Sequence, residues 1–282
     1  ISYYFNIVKY FSMFNLILYV DHIYLNGYSK YVLNFLPNFD TYNAGISFEN
    51  YLFYAKPISP TTIGGMVNPG IFFEGGTYQY FLNLALIFNL FVLRNKFFSI
   101  WNFLLIATIF TTYSTTGYLI LAIILIFTPK VFKTKNVTFK KYFVILPVVF
   151  SVIISSVVYG KLFDKNSSYY LSTNRRILDT KIDFEVIKAY PLLGIGLGGN
   201  ATWMHYSAKY YGGTESSNGL LHFIAKIGVI GLIMTMYPFI RYNYKNRNYN
   251  MIFMFNLITV LTQGIVLTPL FILSLLLASK EK

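Results

Sequence analysis

Apolar positions along this chain come in long runs separated by short basic turns. The runs fall near residues 3–20, 77–93, 98–128, 142–160, 219–240 and 250–278. A helix needs roughly 20 apolar residues to cross the hydrocarbon core of a bilayer, and several runs meet that length. Two exceed it. The run 98–128 is interrupted by Thr-Thr-Tyr-Ser-Thr-Thr-Gly (111–117), and the run 250–278 by Thr-Gln-Gly (262–264). Clusters of Ser, Thr and Gly inside an apolar run mark turns, so each of the two is predicted to fold as a hairpin of short helices. The first run carries Lys9 in its middle and is the weakest span.

Charge placement supports these divisions. Basic residues gather at Arg94 and Lys96, at Lys130 to Lys141, at Arg241 to Arg247, and at Lys280 and Lys282. With both hairpins split, all four clusters fall on one face, which the positive-inside rule makes cytoplasmic. The expected fold is therefore all-α: a polytopic integral membrane protein with about eight transmembrane helices. It forms a single membrane domain over 1–282. Two longer segments then lie outside, 21–76 and 161–218. The first holds Asp21, Asp40, Glu49 and Glu74, is rich in Pro and Gly after residue 56, and reads as irregular loop.

Composition agrees with that class. Hydrophobic residues make up 55% of the chain and charged ones 12%, about half the charged share of a soluble domain. The formal charge of +13 sits mainly in short loops, which speaks for membrane orientation and against nucleic acid. Cysteine is absent, which excludes disulfides, thiolate metal sites and cysteine nucleophiles. The chain opens Ile-Ser-Tyr-Tyr, with neither an initiator Met nor a signal pattern. It reads as a fragment lacking preceding spans.

Within the second external segment lies a polar island, Ser172 to Gly199. Ser172, Thr173 or Asn174 can cap a helix, and Leu178, Ile182 and Val186 recur at spacing four with Lys181, Asp179 and Asp183 off that stripe. The pattern predicts a short amphipathic helix stopped at Pro191 and Gly194. Asp179 lies within one turn of both Arg175 and Arg176, and a surface ion pair with either is expected. One carboxylate cannot fill two guanidinium forks, and a planar fork with spare donors matches phosphate oxygens. Gly194, Gly196 and Gly199 satisfy the letter of a dinucleotide fingerprint. No strand precedes them and the loop is too short for such a domain, so tight backbone packing is the expected role. Beyond the loop, Asn218, His222 and Lys226 share one helical face, with Glu215 one turn earlier. Ionisable groups at the start of a span are functional candidates, because burying them unpaired is costly. His205 and Glu74, the latter just before the second span, complete the candidates.

Four motifs stand in order: Asn68-Pro-Gly-Ile-Phe-Phe-Glu74, Ser114-Thr-Thr-Gly117, the arginine helix ending Tyr-Pro-Leu-Leu-Gly-Ile-Gly-Leu-Gly-Gly, and Ser216-Ser-Asn-Gly-Leu-Leu-His222. Together, over about residues 66–240, they resemble the O-antigen polymerase and ligase superfamily of bacterial envelope polysaccharide synthesis. The resemblance implies a glycosyltransferase of the C-type (GT-C-like) architecture in the bacterial inner membrane. It would use sugars carried on a polyprenyl diphosphate and need neither a nucleotide sugar nor a metal or other cofactor. Arg176, ahead of Pro-Leu-Leu-Gly, corresponds to the family arginine that holds the diphosphate, with Arg175, Glu74 and His205 as further substrate-binding candidates. His222, Glu215, Lys226 and Asn218 are the catalytic candidates. Implied partners are undecaprenyl-diphosphate-linked oligosaccharide, membrane lipid and a chain-length regulator protein, with no nucleic acid. Ser217 stands where the ligases carry His, and Thr115 where the hairpin turn carries Arg. Both departures weaken the ligase reading and leave the polymerase reading standing. A flippase or transporter, the rival from another class, would show inverted repeats, and none are found.

Overall fold

A computed structural model describes residues 1–132 apart from 26, 38, 41–46, 58–66 and 73, residues 168–243 apart from 215, and residues 255, 258 and 259. The predicted span 142–160 lies outside the described residues, as does 250–278 apart from residues 255, 258 and 259. The chain divides into two compact units, Ile1–Lys161 and Leu162–Lys282.

In the first unit, α1 runs Ser2–Tyr24 and buries Phe5, Val8, Ser12, Asn15 and Tyr19. That spacing of three and four is the inward seam of a packed helix. Lys9 does not break it. Its ammonium lies over the rings of Tyr10 and Trp101, 4.7 and 4.8 Å from their centroids, a cation–π contact that keeps the charge engaged on an apolar surface. A short α2 (Tyr28–Val32) follows. The segment 21–76, expected to be irregular, also contains a three-stranded antiparallel sheet: β1 (Phe39–Asp40), β2 (Ser47–Asn50) and β3 (Ala55–Pro57). Phe39 pairs with Phe48, and Glu49 with Lys56. Strands of two to four residues carry too little alternation to register as a sequence pattern. The all-α expectation is corrected to a mainly helical fold with one small sheet.

Helix α3 (Gly75–Ile87) is buried along nearly its whole length and continues into a π-helical turn, Phe88–Val92. It packs against α1, α4 (Ile100–Thr111) and α5 (Thr115–Phe132). The predicted hairpin is present: α4 and α5 are separated by Thr112–Ser114, with Tyr113 at φ 48° turning the chain. Two glycines let this turn close in. A Cβ on Gly75 would stand 2.4 Å from the Thr112 carbonyl, and one on Gly117 would stand 3.0 Å from Gln79.

The second unit holds α6 (Ser168–Ala189), α7 (Asn200–Ser207) and α8 (Gly219–Asn243). Helix α6 packs on both others, around Ile182, Val186, Trp203 and Ala225. Among the described residues, Gly219–Tyr237 is the helix long and apolar enough to cross a membrane; Ile100–Thr111 and Thr115–Thr128 are shorter apolar helices.

Candidate functional site

The site is built where α6 meets the start of α8. Helix α6 begins at Ser168, so Ser172, Thr173 and Asn174 lie inside it and do not cap it. In a helix interior such residues cost only about 0.5 kcal/mol each relative to Ala. The helix stops at Ala189, as the coming Pro191 requires.

Its buried face differs from the expected one. Ile182 and Val186 are buried, but so are Asp179 and Asp183, both 0% exposed. Residues 179, 182, 183 and 186 follow the i, i+3, i+4, i+7 spacing of a packed face. A buried carboxylate must have its oxygens satisfied, and here they are. Asp183 accepts from the Trp203 indole N–H at 2.9 Å and from the Ser216 hydroxyl at 2.7 Å. Asp179 accepts from the Tyr211 hydroxyl, from the Ser217 backbone N–H at 2.8 Å and from the Ser217 hydroxyl at 2.5 Å. These bonds draw the chain between α7 and α8 onto α6.

The expected ion pair is absent. Asp179 makes no salt bridge with Arg175 or Arg176 among the described residues, because its oxygens are already taken by hydroxyl and amide donors. Arg175 instead stacks on Tyr211, its guanidinium carbon 5.3 Å from the ring centroid. Burial and the bond to Asp179 push the Tyr211 hydroxyl up to about 12, against the opposing pull of Arg175. The phenol is thus a fixed donor under the arginine. The Arg176 carbonyl accepts from Thr180 at 2.8 Å and from the Asn218 amide at 3.1 Å, and the same amide reaches Thr180 Oγ1 at 2.9 Å. The arginine turn is thereby tied to the residue that opens α8.

One turn further, His222 faces Asp183, with Nδ1 3.3 Å from Oδ1 and its side chain 13% exposed. Trp203 stands edge-on to the imidazole, 5.7 Å between centroids. A carboxylate only accepts, so the ring proton belongs on Nδ1 and the lone pair on Nε2. That Nε2 is buried and has no hydrogen-bond partner among the described residues. An imidazole oriented in this way by a buried carboxylate, with Nε2 unpaired among the described residues, can accept a proton there when the ring is neutral.

Asn218 and His222 thus meet on α6, as their shared face predicted. Lys226 follows on the same helix, and its carbonyl accepts from the Gly196 N–H at 2.8 Å. The glycine loop packs its backbone against α8, as expected of it. His205, exposed on α7, stands edge-on to Tyr206 and is not drawn to the Asp183 cluster. Glu74 belongs to the first unit, exposed just ahead of α3 without a side-chain capping bond. Glu215 lies outside the described residues. The sequence reading missed Asp179, Asp183, Trp203 and Tyr211; the signal available for the aspartates was their i, i+4 placement flanking Ile182.

Comparison with known proteins gives one family. A family model described as O-antigen ligase matches residues 83–236, a stretch that holds α6, α7, both arginines and His222 but not Glu74. No significant match is found among curated proteins or solved structures. With more than half of its 282 residues covered, the chain belongs to the O-antigen ligase family, within the polymerase and ligase superfamily of glycan-transferring membrane proteins.

Proposed function

We propose that the protein is an envelope polysaccharide polymerase, of O-antigen or capsule. It transfers glycan from a polyprenyl-diphosphate-linked donor to a lipid-linked acceptor at the outer face of the bacterial inner membrane. The observation that carries this reading is the pair of bonds binding α6 to α8: Asn218 to the Arg176 carbonyl, and His222 to Asp183. They hold an arginine turn and an imidazole with an open nitrogen within one unit.

In the reaction, Arg176 and Arg175 bind the donor diphosphate. His222 Nε2 takes the proton of the acceptor hydroxyl, whose oxygen bonds the anomeric carbon. The bond from that carbon to the diphosphate oxygen breaks, and its electron pair leaves with the diphosphate. Fixed guanidinium groups stabilise the charge that develops there. Because the leaving group is good, a weak base suffices. Asn218 positions the arginine turn, while Lys226 and Glu215 supply polar groups along α8 and just before it. In this reading Gly219–Tyr237, the described helix long and apolar enough to cross a membrane, is one of the eight spans of a GT-C-like arrangement whose basic loops lie in the cytoplasm.

A ligase differs only in its acceptor, and the family description favours it. Ser217 argues the other way: it stands where ligases carry His, and both its hydroxyl and its amide are committed to Asp179. Purified protein in liposomes, given the lipid-linked repeat alone, should build a ladder and release one polyprenyl diphosphate per new bond. Transfer only when a separate glycolipid acceptor is added would establish the ligase. No diphosphate release with either acceptor would refute both readings.

A further inference from the structure

Helix α8 is not continuous. Gly228, at φ 68° and ψ −177°, breaks it in the middle of the candidate span Gly219–Tyr237. A break there frees backbone groups, and in hydrocarbon each unsatisfied one costs several kcal/mol. Here the loop after α6 satisfies them. Val229 and Ile230 donate to the carbonyls of Pro191 and Leu192 at 3.0 and 3.2 Å, while Ile195 and Gly196 donate to those of Ala225 and Lys226 at 3.0 and 2.8 Å. The fit is close. A Cβ on Gly228 would stand 2.1 Å from the Leu192 carbonyl oxygen, and one on Gly194, 2.5 Å from the Lys226 carbonyl.

This exchange fixes the depth of the loop. Gly228 stands nine residues past Gly219, about 14 Å along the axis at 1.5 Å per residue, near half of the ~30 Å hydrocarbon core. Leu192, bonded to Ile230, is at that level. Leu192 and Leu193 are 63% and 72% exposed, and they adjoin Val229 and Ile230, which with Ile233 and Met234 form the exposed apolar side of α8. A loop on the aqueous surface has no reason to present leucines beside the lipid-facing side of a span. One whose polar backbone is spent on a broken helix can enter hydrocarbon.

We propose that residues 190–197 form a re-entrant segment that enters the bilayer beside α8, with Leu192 and Leu193 in contact with lipid chains. The segment 161–218 is then not wholly outside the membrane. This inference rests on family membership and the Gly228 break, and stands whether the enzyme polymerises or ligates.

The absence of cysteine makes the test direct. Leu193→Cys, Ile230→Cys and Thr214→Cys, each in the full chain, are labelled with an environment-sensitive fluorophore. The proteins go into vesicles of phosphatidylethanolamine and phosphatidylglycerol, with and without brominated-chain lipid. The probes at 193 and 230 should be quenched alike by brominated lipid. Iodide, a charged quencher kept out of hydrocarbon, should act on them about threefold less than on the probe at Thr214, which is exposed on the polar loop. Adding Gly228→Ala should expel the segment and open the 193 probe to iodide. A 193 probe as open to iodide as the 214 probe would overturn the proposal. So would one shielded from both quenchers, since protein rather than lipid would then cover it. Leu192→Cys repeats the measurement should Leu193→Cys fail to fold.

Discussion

Replacing Asp183 by Asn separates the two tasks this carboxylate performs. The substitution keeps its size, so no cavity forms. The bonds from Trp203 at 2.9 Å and Ser216 at 2.7 Å would then reach a neutral group. Hydrogen bonds to a charged partner contribute about 1.5–3 kcal/mol and neutral ones about 1, so the two together should cost roughly 2 kcal/mol of stability. The second task is the tautomer. Facing an amide, His222 is no longer held with its proton on Nδ1, and Nε2 is no longer reliably the lone-pair nitrogen. In hydrolytic triads the same carboxylate-to-amide change costs about 10⁴-fold. At 3.3 Å the hold is weaker, and with a good leaving group the base matters less, so roughly a hundredfold loss, about 2.7 kcal/mol, is expected here. The assay is turnover of the lipid-linked repeat at matched protein amounts, alongside thermal unfolding in detergent. Because the residues act as a unit, Asp183→Asn added to His222→Ala should slow the reaction no further. A variant that melts early yet turns over at the wild-type rate would refute the reasoning: Asp183 would then be a structural clasp and His222 no base.

Three further outcomes follow from the same geometry. Gly194→Ala places a Cβ 2.5 Å from the Lys226 carbonyl at a φ of +66° and should cost about 1–3 kcal/mol or more, while Gly198→Ala, which meets nothing within 4 Å, should be close to neutral; unfolding of the two variants compares them. Tyr211, ordinarily near 10 and raised to about 12, is protonated in the folded state where the unfolded chain has begun to ionise. Its contribution is therefore full below about pH 10 and lost towards 12, and Tyr211→Phe should flatten stability across that window in alkaline unfolding. Cysteines at Lys135 and Asn246 should resist an impermeant reagent in intact cells while one at Ser168 reacts; outside labelling at Lys135 would overturn the hairpin split.

What the sequence made visible was what local pattern encodes. The hairpin break came from Thr and Ser within an apolar run, and the close packing of the glycine loop from its lack of side chains. The shared face of Asn218 and His222 came from helical spacing alone. What lay hidden depends on partners far along the chain. Asp179 and Asp183 read as a solvated face because carboxylates are rarely buried unpaired. Their donors stand 20 to 38 residues away, at Trp203 on the short α7 and at Tyr211, Ser216 and Ser217 on the loop that follows it, with no periodicity to announce them. Gly228 looked like one more small residue in a span, since the segment that fills its break lies more than thirty residues earlier.

The claim at the centre is that the α6 arginine turn clamps a lipid diphosphate beside His222. Arg176 tests it most directly. In the reconstituted transfer assay, Arg176→Ala should lose a contact made mainly in the transition state, on the order of 2–4 kcal/mol or roughly a hundredfold or more in rate. Arg176→Lys should fail almost as badly, because an ammonium cannot reproduce the bidentate fork. If Arg176→Ala, folded and at matched amount, transfers glycan at the wild-type rate, the clamp does not exist.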